Sequence, residues 1–372
     1  MASRKFVIAF SSIATLAFPR FLALVWRYPV DVRYYLRCLI AGIISMVIEP
    51  FRWLEKLVYD RRLTKTRLPK SPVFILGHWR SGTTLLHNAM CQDKQFAYIN
   101  TYQSVFTNQF FFNRWLFKPL MRLLIPEKRP ADNVHLSVDF PQEEEIALCN
   151  TNSFSFYNFF YFPRQWKIFY QQYISGKTSS ATHLDQYSKR YKKVIAQALI
   201  EYGREEFISK NPSNTGRIRH LLNMFPEAKF IYIYRNPVKV YLSTVNFFQV
   251  TVEALQLQSY SRAEFEELVF ELHEQIIRDY EEQKSLIPKE NLVEVKYEDF
   301  EQDPITGLES IYSAIGLPGF EQARPAFEAY LESQKRFEKG HHPLDEEVKQ
   351  KILQRCAYTL NLYGYAEVPS EL

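Results

Sequence analysis

The chain has 372 residues, of which 23% are charged, 16% are aromatic and only 11 are glycine. These figures exclude a disordered, low-complexity or collagen-like protein, and the length predicts one large α/β domain with appendages, or two lobes. The net charge of +5 suits anionic small molecules or lipid headgroups. The sequence has no Lys/Arg-rich arm, so we expect no nucleic-acid partner.

The cysteines are far apart in sequence and show no C-x-x-C spacing. This pattern predicts neither a zinc site nor a dense disulfide scaffold. We therefore expect a reduced, cytoplasmic protein. The four residues are Cys38, Cys91, Cys149 and Cys356.

The first 67 residues are predicted to form a hydrophobic helical element. An apolar run at positions 6–19 follows two basic residues and resembles a signal peptide, but Arg20 interrupts it, and a second run covers positions 39–48. Neither run reaches the roughly 18–20 uninterrupted apolar residues that span a bilayer. Apolar stretches punctuated by Arg and flanked by Trp and Tyr suit peripheral helices in the membrane interface, on the inner face of the membrane. The alternative is a helical hairpin packed on the protein's own core.

From position 68 onward, strand and helix patterns alternate, which predicts an α/β fold with a central parallel sheet flanked by helices in one domain, 68–372. Val73–Leu76 is typical of a buried parallel strand, and a helix pattern over 81–90 follows it. The aromatic stretch 154–173 is expected to be either core or the wall of an apolar pocket. Further strands are predicted at 207–209, 230–234 and 291–296, and further helices at 215–225, from Pro237 onward, and at 262–284, 304–315 and 344–360.

The first chemical signal is the turn after the first strand. Gly77-x-x-x-x-Gly82-Thr83-Thr84 has the glycine spacing of a phosphate-binding loop, whose backbone N–H groups converge on an anion at a helix N-terminus. A Walker loop would have Lys where this chain has Thr83, so the pattern argues against hydrolysis of ATP or GTP. Arg80 supplies a cation within the loop instead. A tight turn that merely needs glycine is the alternative.

Two motifs together resemble the sulfotransferase superfamily that uses 3′-phosphoadenosine-5′-phosphosulfate (PAPS), over residues 72–362. The segment from Arg80 to Thr84 is similar to its 5′-phosphosulfate loop, and Tyr234-Arg235-Asn236-Pro237 followed by Ser243 is similar to its 3′-phosphate site. The resemblance implies a P-loop-like sulfotransferase fold with PAPS, or its product PAP, as co-substrate. Arg80 would stabilise charge on the oxygen of the leaving nucleotide. The residues implied to hold the nucleotide are Arg80, Ser81, Gly82, Thr83, Thr84, Arg235 and Ser243.

Two further segments are similar to parts of the same family. Lys210-Asn211-Pro212, leading to Arg217, follows a predicted strand, and Lys210 is expected to contact the nucleotide. The segment 336–340, which contains Lys339, is similar to the part that closes over the 3′-phosphate and adenine. A solvated charged loop is the alternative for that segment. His341 and His342 follow it without further ligands at metal-binding spacing, so we expect no metal.

Sulfuryl transfer also needs a base within about 3 Å of the acceptor hydroxyl. In this superfamily the base is a His or a Glu, and Pro-Gln-Glu-Glu-Glu at 141–145 is similar to an acidic motif of one branch. Glu143 is the first candidate and Glu145 the second, because consecutive helix positions face different ways. Carboxylates that only stabilise the first turn of a helix are the structural alternative. His78 and His87 stay open as other bases.

The acceptor is expected to be a small molecule with a lipophilic hydroxyl, such as a sterol, a bile-acid-like molecule or a lipid. The apolar N-terminus and the aromatic stretch 154–173 favour it. Because saccharide sites also use aromatic faces, a carbohydrate or glycolipid O-sulfotransferase is the alternative. A P-loop kinase would need a Walker Lys and Mg²⁺ ligands, and a non-catalytic nucleotide-binding membrane protein is the remaining alternative. The oligomeric state does not follow from the sequence.

Overall fold

The computed structural model describes residues 11–125, 137–151, 154–334 and 346–365. They fall into two compact units. The first unit draws on Met1–Pro69, Ala97–Ser209 and Phe247–Ser261, and the second on Lys70–Phe96, Lys210–Asn246 and Arg262–Leu372. The N-terminal element therefore shares its unit with much of the middle of the chain.

The described residues form helices and strands in the following chain order. The α-helices are α1 Phe18–Arg27, α2 Tyr35–Val47, α3 Glu49–Lys65, α4 Thr83–Met90, α5 Thr101–Phe106, α6 Arg114–Leu124, α7 Glu144–Thr151, α8 Trp166–Tyr173, α9 Ala181–Tyr202, α10 Ile218–Met224, α11 Pro237–Leu255, α12 Arg262–Gln283, α13 Tyr297–Gln302, α14 Pro304–Ala314, α15 Phe320–Gln334, α16 Glu346–Arg355 and α17 Ala357–Leu362. The strands are β1 Val73–Leu76, β2 Phe96–Ala97, β3 Glu206–Lys210, β4 Lys229–Tyr234 and β5 Leu292–Lys296. Short 3₁₀ helices occupy Val32–Tyr34, Thr107–Gln109, Phe156–Phe160, Pro163–Gln165, Pro212–Gly216, Lys284–Leu286 and Lys289–Asn291.

The strands form one five-stranded sheet in the order β2-β3-β1-β4-β5, flanked by helices. β1 runs parallel to β4 and pairs Leu76 with Tyr232, and β4 runs parallel to β5 and pairs Tyr234 with Lys296. β1 is buried throughout, as its continuous apolar run predicts. The predicted central parallel sheet is confirmed. Because parallel strands end at the same edge, the residues that follow β1, β4 and β5 lie at one edge of the second unit.

Three predicted helices have different bounds in the structure. The helix after β1 begins at Thr83 rather than 81, because Gly82 precedes it with a left-handed φ of 99°. The predicted helix 215–225 is a 3₁₀ helix followed by α10, because Arg217, at φ −127° and ψ 28°, interrupts the helical backbone. Within the described residues, the predicted helix 344–360 is the pair α16 and α17, which meet at Cys356.

The aromatic stretch 154–173 contributes to the core of the first unit. Phe156 stacks on Phe159 with ring centroids 4.6 Å apart, and Phe159 meets Phe248 of α11 edge-on at 5.1 Å. Phe162 and Phe169 are also fully buried. Because these rings bury their surface against neighbouring side chains, they stabilise the unit rather than line an open pocket. The stretch therefore gives little support to an acceptor wall.

The N-terminal helices pack against one another within the first unit. A Cβ added at Gly42 of α2 would lie 2.9 Å from the ring of Phe21, so α1 and α2 approach closely. The hydroxyl of Ser45 donates a hydrogen bond to the backbone carbonyl of Leu16 at 2.5 Å. By length and composition, the helical stretch Val32–Lys65 could cross a membrane, which the interrupted apolar runs did not predict. Only 28% of its most apolar part is buried, so much of this apolar surface is exposed.

Candidate active site

The turn after β1 brings backbone groups close to the start of α4. Gly77 has a φ of 145° and Gly82 a φ of 99°, which are conformations that favour glycine. A Cβ added at Gly77 would lie 2.5 Å from the carbonyl oxygen of Ile233, and a Cβ added at Gly82 would overlap the ring of Tyr297. The two glycines therefore allow the loop to approach the end of β4 and Tyr297 more closely than other residues could.

Arg80 connects this loop to α11. Within the described part of the chain it is the one non-glycine residue with a positive φ, at 69°. Such a conformation costs roughly 1–2 kcal/mol and often marks a functional site. Its guanidinium Nε donates a hydrogen bond to Oγ of Ser243 at 2.8 Å. The structure thus joins two motifs that the sequence places 163 positions apart.

Arg235 follows β4 directly and lies beside the loop. Its Nη1 donates to the backbone carbonyl of Arg80 at 3.4 Å, and its guanidinium carbon lies 4.4 Å from the centroid of the Tyr297 ring. The same ring fills the space beside Gly82, so Tyr297 supports both the loop and Arg235. Sequence reasoning missed Tyr297. Its position directly after β5, at the carboxyl edge of the sheet, is the signal that could have found it.

Two buried donors at this site have no hydrogen-bond partner in the described structure. One is Oγ of Ser81, a residue that is 1% exposed, and the other is Nε of Arg235. Buried polar groups are nearly always hydrogen-bonded, so two such donors beside a glycine loop suit a bound anion. Together with Arg80 and Ser243, they form a site of the right chemistry for phosphate or sulfate groups.

The lysine motif lies close to the loop through the 3₁₀ helix that follows it. Lys210 ends β3, which neighbours β1 in the sheet, and it is buried. Thr215 accepts a hydrogen bond from the N–H of Gly77 at 2.8 Å and donates to the Gly77 carbonyl at 3.1 Å. Arg217 donates from Nε to the carbonyl of Ser213 at 3.0 Å, which stabilises the turn. Thr215 therefore braces the loop, a role that its predicted place in a helix did not reveal.

Lys339 and the two histidines after it lie outside the described residues, as does the segment 126–136. The expected contact of Lys339 with the nucleotide stays a prediction. Within the described ranges, no group of three or more His, Cys, Asp or Glu side chains is arranged to hold a metal ion.

The sequence model of the sulfotransferase family matches residues 72–322, which is 251 of the 372 residues. The chain belongs to the sulfotransferase family. It is 29% identical over 322 residues to the omega-hydroxy-beta-dihydromenaquinone-9 sulfotransferase Stf3 of Mycobacterium bovis and to the protein of the same name of Mycobacterium tuberculosis. Each match covers 87% of this chain and 82% of the relative.

Two crystal structures of mycobacterial sulfotransferases have a similar fold. The sulfotransferase STF9 of Mycobacterium avium superimposes with a TM-score of 0.65 at 16% identity and covers 94% of this chain and 96% of its own. The sulfotransferase STF1 of Mycobacterium tuberculosis has a TM-score of 0.59 at 13% identity and covers 96% and 93%. The predicted sulfotransferase fold is confirmed, and the family assignment makes this protein an enzyme.

The acidic motif of this sulfotransferase belongs to the first unit, where its second candidate base has a structural role. Glu145 is fully buried. Its carboxylate accepts hydrogen bonds from the hydroxyl of Ser155 at 2.8 Å and from the N–H of Phe156 at 3.0 Å. These bonds fix the start of the 3₁₀ helix Phe156–Phe160. The carboxylate therefore stabilises the aromatic core of its own unit.

The two other glutamates of the motif differ in exposure. Glu144 is buried, and its carboxylate accepts from the hydroxyls of Tyr191 and Ser209. Burial raises the pKa of Glu144, although these two hydroxyls oppose the shift. Glu143, just before α7, is half-buried and accepts from the hydroxyl of Tyr157. Glu143 is thus the most accessible carboxylate of the three, but its role as the base stays a prediction.

The two histidines near the loop are buried. His78 is buried, its Nδ1 lies 2.8 Å from the carbonyl oxygen of Trp79, and its ring centroid is 4.7 Å from that of His273. Burial lowers the pKa of His78 to about 4, so the ring is neutral near pH 7 and a weak proton acceptor. His87 on α4 is also buried. These surroundings favour a packing role for both rings.

Proposed function

We propose that this sulfotransferase transfers a sulfuryl group from PAPS to the hydroxyl of a lipophilic acceptor. The observation that carries the donor assignment is the cluster at the sheet edge, where Arg80 bonds to Ser243 and Arg235 lies over the ring of Tyr297. PAPS carries anionic groups at both its 5′ and 3′ ends, and the cluster offers cations and buried donors for both. Phosphoryl transfer from ATP would instead favour the lysine that Thr83 replaces.

The two ends of the donor are assigned to different parts of this cluster. The loop N–H groups at the start of α4, with the hydroxyl of Ser81, suit the phosphosulfate end that supplies the sulfuryl group. The planar fork of Arg235 and the hydroxyl of Ser243 suit the 3′-phosphate. Arg80 offers the cation for charge on the leaving oxygen. Because Arg80 is bonded to Ser243, occupancy of the 3′-phosphate position would also fix the orientation of that cation.

Glu143 is the proposed base that takes the proton of the acceptor hydroxyl. Its support is the acidic motif and its half-buried carboxylate, which contrasts with the buried and structurally engaged carboxylates of Glu144 and Glu145. The hydroxyl of Tyr157 donates to Glu143 and would hold the carboxylate in one orientation. A base that is both positioned and accessible is what this step requires.

A lipophilic acceptor is supported by a relative and by the surface of the first unit. The mycobacterial relatives bear the name omega-hydroxy-beta-dihydromenaquinone-9 sulfotransferase. At 29% identity this favours a lipid alcohol as the acceptor class, with a carbohydrate or glycolipid acceptor as the alternative. We also propose that the enzyme acts at the cytoplasmic face of a membrane, since its four cysteines are free thiols.

Membrane attachment is proposed to use an apolar face, formed by the exposed apolar side chains of α1, α2, α3 and α6. Three of the five tryptophans lie on it, with exposed fractions of 93% for Trp26, 65% for Trp53 and 75% for Trp115. Tryptophan is the residue that prefers the membrane interface. Residues 18–65 carry nine basic and four acidic side chains, which suits an anionic lipid surface.

Helix α6 extends this face beyond the predicted N-terminal element. Its buried side packs on α3, where the rings of Phe51 and Phe117 meet edge-on at 5.5 Å. The carboxylate of Glu55 accepts from the N–H of Phe112 at 2.7 Å, just before α6. The outer side of α6 presents Leu123, which is 81% exposed. A helix with one side packed on the protein and an exposed apolar side, as α6 has, suits a position in the membrane interface.

The donor and acceptor assignments are tested with purified full-length enzyme, labelled PAPS and a panel of acceptors. The panel comprises a long-chain isoprenoid alcohol, a sterol and a simple sugar. We expect labelled product with a lipophilic alcohol, none with Arg80→Ala, and loss of turnover with retained PAP binding in Glu143→Ala. Failure to bind PAP would refute the donor assignment. Transfer only to the sugar would favour the carbohydrate alternative, and full turnover by Glu143→Ala would assign the base elsewhere.

The apolar face is tested by co-sedimentation of the full-length protein with vesicles of phosphatidylcholine and phosphatidylglycerol. Leu123→Asp places a charge on the face and should reduce the bound fraction several-fold. Leu286→Asp is the matched control, because Leu286 is also exposed but belongs to the second unit. Equal binding by the two variants would contradict the proposed face.

A further inference from the structure

The first unit contains a strongly cationic cavity. Its volume is about 410 Å³, and all the residues that line it belong to the first unit. None of the residues assigned to the nucleotide lines it. Five cationic side chains from three different helices line the cavity, namely Arg20, Arg52, Lys56, Arg190 and Lys193.

The carboxylates that line the cavity are already engaged. Glu49 pairs with Arg52 at 2.5 Å, and Asp60 pairs with Lys193. The third carboxylate, Glu55, accepts from the backbone N–H groups that precede α6. Each negative charge therefore has a partner, and the positive charges outnumber them.

Three cations remain without a carboxylate partner among the described residues. Arg20 donates from Nη1 to the backbone carbonyl of Thr151 at 2.7 Å and has no ion pair. Nζ of Lys56 lies 6.0 Å from the centroid of the Trp53 ring. Arg190 lines the cavity and makes no hydrogen bond or ion pair with the described residues. Five cations against three carboxylates leave an excess of two positive charges around one cavity, which is costly unless an anion neutralises it.

Arg20 and Arg190 repel each other across this cavity. Burial, and then the charge of Arg190, lower the pKa of Arg20, while Glu49 opposes the shift only in part. A further donor, Nε of Arg52, is buried and has no partner in the described structure. A tetrahedral oxyanion between the guanidinium groups would relieve the repulsion and accept several charge-assisted hydrogen bonds.

We propose that this cavity binds a tetrahedral oxyanion, the phosphate or sulfate ester group of an anionic amphiphile, with Arg20 and Arg190 as its principal partners. The amphiphile is favoured because Trp53 both lines the cavity and belongs to the apolar face. Leu57, one turn later on α3, also belongs to that face and is 83% exposed. An acyl or isoprenoid chain on that face could then carry its charged group into the cavity. This site goes beyond the sulfotransferase reaction and does not depend on the donor assignment.

The test compares Arg190→Gln with Lys189→Gln in the full-length protein. Lys189 is the neighbouring residue on α9, and Lys189→Gln removes the same charge as Arg190→Gln. The side chain of Lys189 is 74% exposed, pairs with Asp185 at 2.7 Å and does not line the cavity. In one arm, thermal unfolding is followed during titration with inorganic phosphate and with sulfate. In the other, co-sedimentation is measured with phosphatidylcholine vesicles with and without phosphatidylglycerol.

We expect Arg190→Gln to weaken oxyanion binding about tenfold, which is about 1.4 kcal/mol, while Lys189→Gln behaves like the wild type. Arg190→Lys should restore part of the binding. The difference between the Gln variants isolates the cavity from any phosphate held by the Gly77–Gly82 loop, and PAP binding should be unchanged in both. A failed donor assignment would therefore leave this result intact.

The two arms also identify the source of the oxyanion. A preference for phosphatidylglycerol vesicles that Arg190→Gln removes supports a lipid headgroup. A phosphate response that Arg190→Gln removes, without any vesicle preference, supports the site with a soluble oxyanion as its ligand. Equal behaviour of Arg190→Gln and Lys189→Gln in both arms would overturn the proposal.

Discussion

Replacing Tyr297 with Leu should weaken the binding of PAP, because it removes the ring that supports both halves of the proposed phosphate site. The ring centroid lies 4.4 Å from the guanidinium carbon of Arg235, and the ring fills the space beside Gly82. The hydroxyl of Tyr297 donates instead to Glu301. Tyr297→Phe therefore keeps the ring and removes only that outer hydrogen bond, which makes it the matched control.

The size of the effect follows from the burial of the pair. A cation over an aromatic ring contributes about 0.5–1 kcal/mol at an exposed site and about 2 kcal/mol when desolvated. Tyr297 is 7% exposed and Nε of Arg235 is buried, so the contribution should be about 1–2 kcal/mol. Because the ring orients Arg235 before PAP binds, its loss should raise the Kd for PAP by at most roughly 5- to 30-fold.

Isothermal titration calorimetry with PAP measures this Kd for the wild type and the two Tyr297 variants. Thermal unfolding of each variant establishes that it is folded at the temperature of the titration. We expect Tyr297→Phe to bind within about twofold of the wild type, since the ring is retained. Wild-type affinity in Tyr297→Leu, or an equal loss in both variants, would refute a supporting role for the ring.

Three further predictions concern single side chains of the site. Ser243→Ala removes the acceptor of the Arg80 hydrogen bond and should raise the Kd for PAP about tenfold. Ser243→Thr keeps a hydroxyl and should bind PAP more tightly than the Ser243→Ala variant does. Equal PAP affinity of the two variants would contradict a role for the hydroxyl. Glu143→Gln should lower kcat by about 100-fold or more at unchanged PAP affinity. Glu145→Gln should instead lower the free energy of unfolding by about 1–3 kcal/mol, measured by urea denaturation. The reverse pattern would exchange the roles of the two glutamates. The pKa of His78 is about 4 in the folded state and about 6.5 in the unfolded state, so the unfolded state takes up the proton first as the pH falls. The free energy of unfolding should therefore decrease by roughly 3 kcal/mol between about pH 6.5 and about pH 4. Urea denaturation across this range should show a flatter pH dependence for His78→Gln than for the wild type or the exposed-residue control His183→Gln, and an unchanged slope would be inconsistent with the buried histidine.

In the N-terminal region, composition predicts the type of helix but not which side chains are exposed. The sequence indicated interfacial helices from the interruption of apolar runs by arginine, and the structure adds which side chains are outside. Helix α6 could not be assigned to this face from sequence alone, because its packing on α3 depends on Phe51 and Glu55, which lie more than fifty positions away. The cationic cavity arises in the same way, from residues of three helices that only tertiary packing brings together.

The sequence by itself determined the parallel sheet and the two phosphate motifs. Continuous apolar strands such as β1 and glycines at fixed spacing are local patterns whose physical cause acts over a few residues. The tertiary structure decided what those patterns contact. Only the parallel pairing of β1, β4 and β5 places Arg80, Arg235 and Tyr297 at one edge of the sheet. The three residues are far apart in sequence, and their contacts form only when these strands pair.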